Sequence, residues 1–145
     1  MKTFYIFLIL LSALALSCSV EPETLHYGHD ACHACKMTLV DKKFGAEIVT
    51  SKGKVYKFDD INCMVNFYNS GEVLEDDVAY QLVIDFTHPD KFVNAREAFY
   101  LKSKKIKSPM NGGVAAFGTK EEAEQINKKW KGIWLSWGEL VTEFK

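Results

Sequence analysis

Twice along this chain, an alternating apolar segment runs into a helix-capping residue and then into helical periodicity. That recurrence restricts the fold more than any other feature. In the first instance residues 44–50 read as a strand, residues 51–54 as a turn, and Val55-Tyr56-Lys57-Phe58 as the returning strand. Asp59 and Asp60 then offer N-caps, and Ile61, Met64, Val65 and Tyr68 fall on one face of a helix ending near Asn69-Ser70-Gly71. The second instance starts with a strand over residues 80–86. A second strand over 97–102 follows, and a short third over 114–117 after the turn at Asn111-Gly112-Gly113. Thr119 and Glu122 match a capping box, with Ala123, Ile126 and Trp130 on the helical face behind it. Ser136 and Glu139 cap a last short helix carrying Leu140, Val141 and Phe144. The expected fold is α+β, built from two similar small ββα-type halves.

The N-terminus is different in kind. Lys2, an apolar run over residues 4–16 and Ser17-Cys18-Ser19 give a charged region, a hydrophobic core and a small residue before a cysteine. The run is shorter than the roughly 20 residues of a spanning helix. The expectation is a lipoprotein signal peptide over 1–17, with Cys18 lipidated as the first mature residue. A polar tether over 18–27 and a metal-binding domain over 28–145 follow. The exported chain would sit on a bacterial membrane, facing the periplasm or carried on the outer membrane. Hydrophobic residues make up 48% of the chain, enough for a core without a disulfide framework. A net charge of -1 gives no footing for nucleic acid. No GxGxxG, phosphate-loop, HExxH or GxSxG pattern occurs, so the commonest enzyme signatures are missing.

Chemistry concentrates in His29-Asp30-Ala31-Cys32-His33-Ala34-Cys35-Lys36-Met37, where two thiols, a thioether and two imidazoles crowd together. With Cys18 set aside, Cys32, Cys35 and Cys63 are an odd number for an exported protein, where unpaired thiols are oxidised unless something occupies them. Soft sulfur ligands of this mix favour Cu(I), with zinc as competitor. A structural zinc site wants four ligands, usually from a second CxxC or a separate histidine pair, and beyond Cys32 and Cys35 the chain offers only Cys63 and scattered histidines. A dithiol redox motif wants a preceding strand and a following helix, again not legible here. Met37 discriminates for copper, because its neutral thioether suits Cu(I) and is a poor zinc ligand. In an extended segment residues i and i+2 point the same way, so Cys35 and Met37 are expected to grip one ion together. Cys32, His29 and His33 are candidate helpers, since neutral imidazole also binds copper. Cys63, in the first turn of the first helix, reads equally as a buried thiol or a third ligand. Met110, in the Gly-rich loop Ser108-Pro109-Met110-Asn111-Gly112-Gly113, is a candidate from the second half. Asp59 and Asp60 are explained by helix capping, and His26 and His88 have weaker claims.

Taken together, Tyr27-Gly28-His29-Asp30-x-Cys32-x-x-Cys35-x-Met37, then Asp41, Phe44 and Ala46-Glu47, resemble the NosL family of copper-binding lipoproteins. Phe58-Asp59-Asp60-Ile61-x-Cys63-Met64, Ala98-Phe99-Tyr100 and Pro109-Met110-x-Gly112-Gly113-x-x-Ala116-Phe117 continue the match in order. The resemblance implies two ββα-type halves like those of the organomercurial lyase MerB. It implies a Cu(I) chaperone, not an enzyme, that passes copper to the nitrous oxide reductase assembly machinery through a NosDFY-like transporter. Cys35 and Met37 match the family's cysteine-x-methionine motif, with Met110 as their partner from the second half. Lys36 stands where the pattern has Gly, and Asn111 interrupts its glycine run. The competing readings are a thiol-dependent enzyme (a dithiol oxidoreductase or an organomercurial lyase) and a metal-free lipoprotein with a Cys32–Cys35 disulfide.

Overall fold

The computed structural model describes residues 20–145; the expected signal segment and Cys18 lie outside the described residues. The first half is a hairpin of β1 (Ala46–Thr50) and β2 (Val55–Phe58), then helix α1 (Ile61–Ser70) and strand β3 (Val78–Ile84). The second half repeats that order with β5 (Phe99–Lys102), β6 (Val114–Phe117), α2 (Lys120–Trp130) and β7 (Ile133–Leu135), and ends in helix α3 (Trp137–Glu143). In each half the strand after the helix returns to pair antiparallel with the first strand of its hairpin. The sheet orders are therefore β2-β1-β3, extended by β4 (Phe92–Asn94), and β6-β5-β7. The two hairpins match in register: Ala46 faces Phe58, and Phe99 faces Phe117. The two-half α+β fold is as expected, with one correction. The strand over 80–86 does not open the second half; as β3 it completes the first sheet, and the second half closes on β7 instead.

Local chemistry accounts for each boundary. Asp60 caps α1 by accepting from the Asn62 amide at 3.2 Å, and Gly71 ends the helix in the left-handed region that glycine adopts without strain. Thr119 caps α2, and Ser136 with Glu139 forms the full capping box of α3. Every residue of β1 is buried, as suits a central strand covered on both faces. Phe58, Ile61, Met64, Val83, Tyr100 and Leu140 meet in one core that spans both halves, and the Phe86 amide donates to Ala116 O at 2.8 Å, tying the two sheets together. A smaller core gathers Phe44, Leu101, Ile106, Phe117 and Ala123 under α2.

The segment read as a tether over 18–27 is bound to the fold from Glu23 onward. The Glu23 amide donates to Glu47 at 2.9 Å, and Leu25 is buried in the core. Lys57 Nζ holds the segment against the first sheet through Asp30 at 2.9 Å, Glu23 at 3.0 Å and the Thr24 carbonyl at 3.2 Å. Packing therefore begins before residue 28. Among the described residues, no helix is long and apolar enough to cross a membrane.

Candidate metal centre

The Cys32-x-x-Cys35 segment is neither strand nor helix but a tight loop laid against the edge of the first sheet. Ala31 and Thr38 form an isolated antiparallel bridge, and the Cys32 amide donates to Met37 O at 2.7 Å. The Lys36 amide returns to Cys32 O at 3.0 Å, while the His33 amide docks the loop on Lys57 O of β2 at 2.7 Å. Closing this loop puts Lys36 at φ 64, in the left-handed region. Glycine, expected at this position from the resemblance, adopts that region without strain, whereas Lys does not. The turn also removes the extended geometry on which a shared grip by Cys35 and Met37 was expected. Here the Met37 amide donates to the Cys35 sulfur, and the Met37 side chain is 55% exposed.

The third thiol comes from α1. With Asp60 as N-cap, Cys63 is the third helical residue and faces inward beside Met64. Cys32, Cys35 and Cys63 converge so that their sulfur atoms all lie within 4.8 Å of one another. All three are free thiols; Cys32 and Cys63 are buried and Cys35 is half-buried. The Cys63 thiol donates to Cys32, and the Cys35 and Asp59 amides donate to the same sulfur. Together they hold the Cys32 thiol well below its ordinary value against the opposing effect of burial. Cys63, as donor to that thiolate and buried beside it, is driven far above the ordinary value, and burial raises Cys35 as well. The arrangement thus favours a single thiolate, on Cys32, in the metal-free cluster.

Of the two aspartates expected as caps, only Asp60 caps the helix, and Asp59 is used elsewhere. Asp59 Oδ1 accepts from the Val40 amide at 2.9 Å, and its fully buried Oδ2 has no hydrogen-bond partner among the described residues. Asp60 Oδ2 accepts from the Met110 amide at 2.9 Å, and Asn62 Nδ2 donates to Met110 O at 3.3 Å. The 108–113 loop is thereby clamped to the first turn of α1, the turn that carries Cys63. Close approach needs Gly112, where a Cβ would stand 3.1 Å from Asn62. Asn111 supplies a second left-handed position at φ 57, a region that Asn tolerates. Met110 is half-buried and packs against the core cluster that includes Cys32 and Cys63.

The histidines stand apart from the thiols. His29 is exposed, and His33 is packed edge-on against Tyr56 and Phe67, with ring centroids at 4.7 and 5.1 Å. Neither belongs to the group of mutually close ligand atoms. Sequence reasoning thus undervalued Cys63, although the signal was available. A residue three past an N-cap, on the apolar face and bearing a thiol, points into the core beside whatever packs on the helix end.

A two-sheet α+β domain with three buried or half-buried thiols converging between a loop and a helix N-terminus is, as a class, a small metal-binding protein. The NosL family model matches residues 24–144, and the chain belongs to that family. The fold is similar to that of the copper chaperone NosL from Shewanella denitrificans, with a TM-score of 0.70 at 21% identity over 83% of this chain and 96% of that one. No curated protein matches the chain.

Proposed function

We propose that this chain is an exported, lipid-anchored Cu(I) chaperone, which takes up one copper ion as cargo and passes it to an acceptor protein. The observation that carries the reading is the convergence of Cys32, Cys35 and Cys63 in a member of the NosL family. Thiolates at this spacing suit a soft monovalent ion, which accepts two or three sulfur ligands. One thiolate is already present at Cys32, and the entering ion displaces protons from Cys35 and Cys63. Met37 and Met110, flanking the cluster from the loop and from the second half, are the proposed thioether ligands. They complete or exchange the shell on its solvent side. Cys35 and Met37 are the accessible members, so an acceptor adds its own ligand there before the buried thiolates let go.

The acceptor we propose is the nitrous oxide reductase assembly machinery, through a NosDFY-like transporter. Anchoring through a lipidated Cys18 would keep the exchange at the bacterial membrane surface. A binding and transfer protein needs no turnover, and none is expected with organomercurials or disulfide substrates.

Anaerobic titration against a competing Cu(I) chelator tests the site. One Cu(I) should be retained per chain. Changing Cys35 and Met37 together to Ala should lower the affinity more than tenfold; a smaller loss would remove them from the site.

A further inference from the structure

The repeat of the two halves extends to their loops. Cys32 and Asp85 stand at the same sequence distance ahead of Ala46 and Phe99, the first residues of β1 and β5. Cys32-x-x-Cys35 is then matched by Asp85-x-x-His88. Cys63 is the third residue of α1 after its N-cap Asp60, and Glu122 is the third residue of α2 after its N-cap Thr119. The amide of the residue before each N-cap makes the same bond. Asp59 donates to the Cys32 sulfur, and Gly118 donates to Asp85 Oδ2 at 3.2 Å.

The outcome is the same as well. Ligand atoms of Asp85, His88 and Glu122 lie within 4.8 Å of one another, as those of the three cysteines do. The second half therefore carries a trio of oxygen and nitrogen ligands where the first carries three sulfurs.

The three groups sit together without closing into a short ion pair, and His88 Nδ1 also shares a hydrogen bond with the Thr87 hydroxyl at 3.2 Å. His88 Nδ1 is 3.4 Å from Asp85 Oδ2 and 3.6 Å from Glu122 Oε1. Closed charge-assisted hydrogen bonds are shorter, about 2.7–2.9 Å. Ligands about 2.0–2.2 Å from a tetrahedral ion stand roughly 3.3–3.6 Å from each other. The Asp85 side chain is 6% exposed and fixed by the Thr87 amide at 2.9 Å, the Thr87 hydroxyl at 2.7 Å and the Gly118 amide. Glu122 Oε2 accepts from the Thr119 hydroxyl at 2.7 Å. Such bonds orient a ligand set before an ion arrives. Gly118 is part of the device, since a Cβ there would stand 2.8 Å from Asp85 Oδ2.

We propose that Asp85, His88 and Glu122 form a second metal site, the counterpart of the thiol cluster, for a divalent ion of the zinc class. Two carboxylates and a neutral imidazole balance a 2+ charge, and three protein ligands leave a position for water. The absence of sulfur makes the site poor for Cu(I), so the two halves sort soft from borderline ions.

Cobalt(II) is the probe, because a thiolate site adds intense near-ultraviolet charge transfer and an oxygen–nitrogen site does not. The chain, anaerobic and with its thiols filled by one equivalent of Cu(I), should take up a further equivalent of Co²⁺ with visible d–d bands alone. His88→Ala should abolish those bands, and Glu122→Gln should weaken Co²⁺ binding at least tenfold. Neither should change the melting temperature by more than a few degrees or alter Cu(I) stoichiometry. His88 is 43% exposed, so its removal leaves the core intact. Absent Co²⁺ bands, bands that survive both substitutions, or bands always accompanied by thiolate charge transfer would overturn the proposal. Failure of Cu(I) to bind would count against the thiol site alone.

Discussion

The uneven protonation of the three thiols makes the copper affinity steeply pH-dependent. In the metal-free state Cys32 is the thiolate, stabilised by the Cys63 thiol and two amides, while Cys35 and Cys63 keep their protons. Binding one Cu(I) through all three sulfurs must therefore release two protons near neutral pH. The apparent affinity should rise about a hundredfold per pH unit, about 2.7 kcal/mol, since each released proton contributes about 1.36 kcal/mol per unit. Cys35→Ala, which keeps the Cys63 thiol donating to Cys32, leaves one proton to displace and should lower the dependence to about tenfold per unit. The assay is competition with a chromophoric Cu(I) chelator between pH 6 and 8, corrected for the chelator's own protonation. A wild-type slope of about tenfold that Cys35→Ala leaves unchanged would take Cys35 out of the ligand set. A slope near zero would refute the charge distribution altogether.

Other consequences can be checked by denaturation. Lys36→Gly relieves a left-handed residue and should stabilise the chain by about 0.5–1 kcal/mol, part of the relief being offset by unfolded-chain entropy. Asn111→Gly should be nearly neutral, because Asn tolerates that region. Glu47 is fully buried with one carboxylate oxygen unpartnered, and burial raises its pKa from 4.5 to about 7. The fold thus favours its neutral form, and the stability this gives at acid pH is lost as pH rises from about 4.5 through 7. Between pH 4 and pH 8, the unfolding free energy from urea titrations of Glu47→Gln should shift in the variant's favour by about 2–3 kcal/mol relative to the natural chain. A constant difference would show that Glu47 does not titrate in this range. Gly118→Ala should destabilise by about 1–3 kcal/mol, through the close contacts its Cβ meets at Asp85 and Val93.

How far the fold was legible depended on how strongly each segment signalled by itself. The hairpin before Asp60, the capped helices and the strand over 114–117 carry their own periodicity and caps, and they stand where expected. The strand β7 was missed because Ile133 and Trp134 are exposed on a three-residue strand behind Gly132, too short to show alternation. The strand over 80–86 was legible as a strand but not as a partner of β1, because pairing across α1 is a tertiary choice. At the site, Cys32 and Cys35 announced themselves by spacing. For Met37 an extended backbone was expected, and the left-handed Lys36 between Cys35 and Met37 replaces it with a turn. The Asp85, His88 and Glu122 trio gave almost no sequence signal. Only the superposable plan of the two halves makes Asp85-x-x-His88 stand out.

The central claim is that the three converging thiols hold the copper, and copper K-edge absorption on the chain loaded anaerobically with one equivalent tests it most directly. The expected result is a Cu(I) edge with a sulfur-dominated shell that loses one sulfur in Cys63→Ser. A shell dominated by nitrogen or oxygen, or a sulfur count that Cys63→Ser leaves unchanged, would contradict it.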